Sequence, residues 1–103
     1  MTTKTVPCGG GNLGEIRIPK GHKNTITWRK QGTCTLEDLV FLDSGNNPIR
    51  TPACFDNRQP PSGGGDTISL DYVGLPIPEA GYTYLVTTTS PAMGNGTGTI
   101  RNT

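Results

Sequence analysis

The chain has 103 residues, enough for one domain with a single core; at 31% hydrophobic and 6% aromatic residues that core must be thin. Fifteen Gly and nine Pro disfavour helix interiors and point to many short strands joined by turns. A net charge of +1 gives no bulk attraction to nucleic acid or to an anionic membrane, so both are expected not to be partners.

The charge is unevenly spread along the chain. Residues 1–30 carry Lys4, Arg17, Lys20, Lys23, Arg29 and Lys30 against Glu15, and the remainder is net acidic. A sandwich interleaves distant segments, so these charges are expected to mix on the surface. The alternative is that the basic and acidic parts face one another across copies.

Residues 1–13, "MTTKTVPCGGGNL", read as a Gly-rich N-terminal arm leading into a single β-sandwich domain over 14–103. The opening stretch has no apolar core segment of the signal-peptide kind, and no stretch is long enough to be a transmembrane helix. The chain is therefore expected to be cytosolic in origin, or a mature form whose leader has been removed. "GGGNLG" satisfies G-x-G-x-x-G, but a strand ended by Pro follows it where phosphate binding requires a helix N-terminus.

Strand-like alternation begins with "EIRIP", which puts Ile16 and Ile18 on one face. "NTITWR" does the same with Ile26 and Trp28. The turn "PKGHKN" between them carries His22, the only histidine, with no nucleophile or carboxylate pair nearby; an exposed turn residue is expected. Lys20, Lys23, Arg29 and Lys30 suggest a basic patch, but the one neighbouring aromatic, Trp28, falls on the inward face, unlike the exposed aromatics of nucleic-acid readers. "TLEDLVFLD" permits one helical turn over 35–39, although the run Leu39 to Leu42 favours a strand closed by the hairpin turn "DSGNNP". Beyond the low-complexity "PPSGGGD", "TISLDY" aligns Ile68, Leu70 and Tyr72, and "YTYLV" aligns Tyr82, Tyr84 and Val86. In "NGT", a glycosylation sequon, Asn95 and Gly96 are expected to supply the positive φ of a tight turn. About seven short strands imply an all-β Greek-key sandwich, cupredoxin-like or immunoglobulin-like.

Three cysteines, Cys8, Cys34 and Cys54, cannot all pair within one chain, and no C-x-x-C or Cys/His cluster suggests structural zinc. They read as buried free thiols, as a Cys34–Cys54 bridge across the intervening hairpin, or with Cys8 in an intermolecular role.

"IRIPKGHKNTITWRKQG" together with "GYTYLVTTTSPAMGNGTGTI" resembles the cupredoxin family. Its members run an I-x-V-x-x-G segment into V-T-W and end in G-x-Y-x-Y-x-C-x-x-H-x-x-x-M-x-G-x-I. Gly81, Tyr82, Tyr84, Met93, Gly96 or Gly98, and Ile100 fit that pattern. The resemblance implies copper at the end of this hairpin, but Val86 stands at the family's Cys and Thr89 at its second His. The first His would fall near Cys34 to Leu36, where there is none. A type 1 site needs a thiolate and two imidazoles, so no copper, other metal or cofactor is expected, and His22 lies at the wrong end of its strand to substitute.

The hairpin is then expected to serve by closing the sandwich, leaving Thr87, Thr88 and Thr89 as a contact surface with Lys20, Lys23 and Lys30. The expected function is non-catalytic: a structural or interaction domain, a subunit of a coat, shell, virion or filament. Neighbouring protein subunits, including copies of the chain, would pin the Gly-rich arm and the Thr/Asn tail. Two rivals stay open: a metal-binding or redox protein using Cys34, Cys54 and Met93 as soft ligands for Cu(I), and a small secreted ligand-binding module.

Overall fold

The computed structural model of the chain describes residues 2–62, 65–89 and 94–103. Among these, nine strands form two sheets and there is no helix: β1 (Thr2–Pro7), β2 (Gly11–Ile18), β3 (Asn24–Gln31), β4 (Thr35–Leu42), β5 (Pro48–Ile49), β6 (Phe55–Ser62), β7 (Thr67–Tyr72), β8 (Tyr82–Thr89) and β9 (Gly96–Asn102). The four-stranded sheet has the order β1-β3-β7-β6 and the five-stranded sheet β2-β9-β8-β4-β5. β1 runs parallel to β3 and β2 parallel to β9, and the remaining pairs are antiparallel.

The expected alternation sets the inner faces. Ile16, Ile18, Ile26, Trp28, Leu39, Phe41, Ile68, Leu70, Tyr72, Tyr84, Val86 and Ile100 are buried between the sheets, and Tyr82 packs partly buried against them. A sandwich with few apolar residues must spend nearly all of them inward, which is what the period of two achieves here. Trp28 and Tyr84, one from each sheet, meet edge to face at 5.1 Å. Phe41, Phe55, Tyr72 and Tyr82 form a second aromatic cluster nearer the other end.

The segment 35–39 is strand, not a helical turn. A bulge between Leu36 and Asp38 absorbs the extra residue, so that Glu37 points to solvent while Leu36 and Leu39 both stay buried.

Two strands exceed the expected seven. β6 was hidden by the polar, Pro-ended sequence "FDNRQPPS", a composition tolerated at a sheet edge, and its ladder with β7 is irregular. β1 lies in the segment expected to be an arm. Val6 is fully buried, Asn24 Nδ2 donates to Thr2 Oγ1 at 2.8 Å, and residues 2–7 pair along β3. The arm is thus part of the four-stranded sheet. The tail is likewise held within the chain: Asn102 closes β9 and the Thr103 N–H donates to Ile18 O at 3.0 Å. Neighbouring subunits are not needed to order either terminus, so that reason for expecting an assembly falls away.

Candidate interaction surfaces

The strand directions give the sandwich two distinct ends. One carries residues 8–10, 32–34, 65–66 and 94–95 and is called the disulfide end. The other carries residues 19–23, 43–47, 50–54, 73–81 and 102–103 and is called the tail end.

At the disulfide end Cys8 is bonded to Cys34, their Cα atoms 5.6 Å apart, while Cys54 is a free, buried thiol. The expected Cys34–Cys54 bridge is therefore wrong, for a topological reason. β4 runs eight residues away from Cys34, whereas β5 returns for only two, so Cys54 is left at the tail end. An eight-residue strand spans roughly 25 Å, far beyond disulfide reach. Cys8 instead arrives beside Cys34 because β1 ends where β4 begins, and Cys34 N donates to Cys8 Sγ at 3.2 Å. Gly32, at φ +127, leaves room for the sulfur; a Cβ there would lie 2.8 Å from it. Burial pushes the Cys54 thiol above its ordinary value, opposed in part by a backbone hydrogen bond, which favours the protonated thiol.

Next to the bridge is the place where the cupredoxin resemblance puts its ligands. Thr35 and Thr89 are cross-strand partners whose hydroxyls hydrogen-bond at 2.6 Å, and Val86 is buried. Met93 lies outside the described residues. Two hydroxyls satisfying each other are poor ligands for a transition metal, and Cys34, as half of a disulfide, is no thiolate donor for Cu(I).

The glycines here serve close packing. Neither Asn95 nor Gly96 has the positive φ expected of them; a Cβ on Gly96 would meet Leu13 Cδ1 at 2.8 Å. Gly10, at φ +74, sits against the Asn95 backbone, and Gly11 N donates to Asn95 O at 2.9 Å. Gly65 packs on Thr35 and accepts from Leu36 N at 2.8 Å, covering the stretch of β4 that β5 is too short to pair.

The six residues expected to form one contact surface do not come together. Thr87, Thr88 and Thr89 end β8 at the disulfide end, but Thr88 faces inward, is buried, and donates its hydroxyl to Gly94 O. Lys30, at the same end, is paired with Asp66 at 2.9 Å, whereas Lys20 and Lys23 lie in the exposed turn at the tail end. His22 is exposed in that turn as expected. One ion pair joins the basic segment to the acidic remainder, Lys30 with Asp66, while Glu15 meets Arg17 of its own segment and Arg101.

Sequence reasoning missed two surfaces. The outer face of the five-stranded sheet has Val40 opposite Leu85 and Leu85 opposite Thr97, with Leu42 opposite Thr83 and Thr83 opposite Thr99 in the next row. All but Thr97 are half-buried, which gives an uncharged aliphatic and threonine stripe between Asp38 and Glu15. "YLVT" and "LVFL" carried the signal, because each places an apolar residue on both faces. The second is a tail-end groove of about 510 Å³ lined by Lys23, Asn24, Thr25, Asp56, Asn57, Asp71, Tyr72 and Val73. There Asp71 accepts from Thr25 Oγ1 at 2.9 Å and from Asn57 Nδ2 at 3.1 Å.

Comparison of the chain with protein-family models, curated proteins and solved structures finds no match in any of the three.

Proposed function

We propose that the chain is a non-catalytic structural or interaction domain, a subunit of a larger protein assembly of coat, shell, virion or filament type, and that it associates through the outer face of its five-stranded sheet. The observation that carries this is the stripe in which Val40 stands opposite Leu85 and Leu42 opposite Thr83, bordered by Thr97 and Thr99 and, beyond Thr99, by Glu15. A contiguous apolar stripe on a sheet face gains from being covered, and threonines at its border satisfy a partner's polar groups. The ligand positions of the cupredoxin pattern are filled by a closed hydroxyl pair and a buried valine, which supports a retained scaffold with a surface role. The accompanying fold reading is a Greek-key sandwich of cupredoxin-like or immunoglobulin-like type. It is supported by the passage of the chain between sheets at β3/β4, β5/β6 and β7/β8, and by the terminal β8–β9 hairpin that keeps Gly81, Tyr82 and Tyr84.

Light scattering across a concentration series tests the function. The oxidised chain is expected to self-associate or to bind its partner, and Leu85→Lys to abolish this while leaving the melting temperature within a few degrees. A strict monomer near 1 mM that also pulls down no partner would sink the reading. The small secreted ligand-binding module stands as the second reading, favoured by the Cys8–Cys34 bridge, since disulfides persist in oxidising compartments, and by the polar groove at Asp56 and Asp71.

A further inference from the structure

We infer that β1 is an exchangeable strand locked in place by the Cys8–Cys34 disulfide, and that opening the bridge lets it insert beside β3 of a second copy. This deepens the assembly reading by naming the partner as another copy of the chain and adding a redox-gated contact to the sheet-face one.

Four observations lead there. β1 is an edge strand with a single neighbour, and its parallel ladder is slightly weaker per residue than an antiparallel one. It contributes one side chain, Val6, to the core; Thr3 and Thr5 are exposed and Lys4 is only half-buried. Its connection to β2 is a glycine hinge. Gly9 has nothing within 4 Å of a Cβ position, and Gly10 and Gly11 both have positive φ that a glycine leaves freely, at the cost of the Gly11 N–H bond to Asn95 O. Finally, the chain places its one disulfide at the junction of strand and hinge, fastening Cys8 to the β3–β4 connection.

Removing β1 from β3 would expose the backbone edge beside Ile26 and Trp28, which are fully buried. The segment that fits that edge in register, with Val6 in its own pocket, is the same segment of another copy. Every contact of β1 is then remade between chains, so exchange is close to neutral apart from the hinge. What opposes it is the high effective concentration of the chain's own strand, on the order of mM for a short flexible linker. The chemistry is ordinary thiol–disulfide exchange. A thiolate such as glutathione attacks Cys8 Sγ and Cys34 leaves as thiolate, to be protonated by solvent. After strand insertion, Cys34 of one chain attacks the mixed disulfide on Cys8 of the other and expels glutathione. Cys34 is fully buried, so a foreign Cys8 reaches it only by arriving with its strand in place.

The test mixes ¹⁴N- and ¹⁵N-labelled chains in a glutathione redox buffer, re-oxidises them, and reads the Cys8–Cys34 peptide by mass spectrometry. Peptides carrying one label on each side are expected to be near zero at about 10 µM protein and on the order of a tenth or more of the total at about 1 mM. They should come from soluble dimers with native Trp28 fluorescence, and should be absent when thiol is omitted. Same-label peptides only at 1 mM would overturn the proposal, as would a bridge that thiol buffer cannot open, or mixed peptides confined to unfolded aggregate. Leu85→Lys separates the two readings. Strand exchange is expected to persist in it, and oxidised-state association to be lost.

Discussion

At the disulfide end the described loop residues are held by one covalent bond, by glycine backbone packed on backbone and by two side-chain contacts, Thr88 to Gly94 O and Lys30 to Asp66; at the tail end a whole network of side chains reaches into the loops. Asn102 is the centre of the tail-end arrangement. Its Oδ1 accepts from Ile77 N at 2.8 Å, and its Nδ2 donates to Ile18 O at 3.0 Å and to Tyr72 OH at 3.1 Å. Tyr72 in turn donates to Leu75 O, and Arg101 donates to Glu79 O through Nη2 at 2.7 Å and Nε at 3.1 Å. Ile77 plugs the core beneath them. The 73–81 connection is long enough to carry its own anchors, whereas the described loop residues at the other end include Gly9, Gly10, Gly32, Gly65 and Gly94, offer few side chains and lean on a cross-link instead.

Breaking the cross-link is expected to have the largest effect. The bridge spans a sequence separation of 26, so its loss in Cys8→Ser/Cys34→Ser, or by reduction, should cost about 3–4 kcal/mol. For a chain of this length that lowers Tm by roughly 15 °C. Hydrogen exchange would then sharpen the comparison: amides of β1 and of residues 31–35 lose protection first, and those around Asn102 keep theirs. Uniform loss would mean the two ends are one cooperative unit.

Asn102→Ala attacks the other end. It strands the Ile77 N–H and takes one of two partners from the Ile18 carbonyl and from the Tyr72 hydroxyl, which keep Thr103 N and Leu75 O; an unmet buried polar group costs about 1–3 kcal/mol, partly recovered where water enters. A loss of about 1–2 kcal/mol in denaturant titrations is expected, with protection lost over residues 73–81 and the disulfide end unchanged. An effect under 0.5 kcal/mol would show the plug of Ile77, not the hydrogen bonds, holding that end.

How much of this could be read from the sequence depended on whether periodicity or topology decided it. The inward rows of β2, β3, β7 and β8 follow from alternation alone, and Ile16, Trp28, Leu70 and Tyr84 lie where the pattern puts them. β1 and β6 were illegible because edge strands bury little and keep a polar, Thr- or Pro-rich composition. The disulfide was beyond reach for another reason. Sequence nearness favoured Cys34 with Cys54, but pairing depends on which strand ends meet, and β5 returns by only two residues. Asn102 sat in a Thr/Asn tail, where its composition resembles a frayed end. The uncharged face at Val40 and Leu85 was visible as apolar residues on both sides of a strand, a signal that alternation alone treats as noise.

Between the two ends, Tyr84 ties the sheets at mid-core. Its hydroxyl is buried against Gly98, and neither it nor the buried Trp28 Nε1 has a hydrogen-bond partner among the described residues. Burial pushes its phenol above the ordinary value, the Trp28 indole opposing this in part. With the folded pKa raised, the folded state holds its proton after the unfolded state has released it. Stability is therefore full below the unfolded value of about 10 and falls as pH rises beyond it. Tyr84→Phe removes both the unpartnered hydroxyl and this titration. It should be neutral or stabilising by up to about 1 kcal/mol at pH 7, and its stability should decline less than the parent's between about pH 10 and 11. Equal declines would place the alkaline sensitivity elsewhere.

The smallest expected effect tests the disulfide end without touching its cross-link. Thr35 and Thr89 hold their hydroxyls 2.6 Å apart across β4 and β8. Cross-strand threonine pairs contribute about 0.2–1 kcal/mol. Thr35→Val or Thr89→Val alone leaves a half-buried hydroxyl unmet and should cost about that much. The double Val variant replaces both partners with apolar groups of similar shape and should be nearly neutral, so that the cycle shows a coupling of about 0.5–1 kcal/mol. A pair worth this little only occupies the space where the cupredoxin pattern places its imidazoles. A coupling above 2 kcal/mol would mean that the hydroxyls fasten β4 to β8 as firmly as Asn102 fastens the tail. The two ends would then differ less in their chemistry than the disulfide suggests.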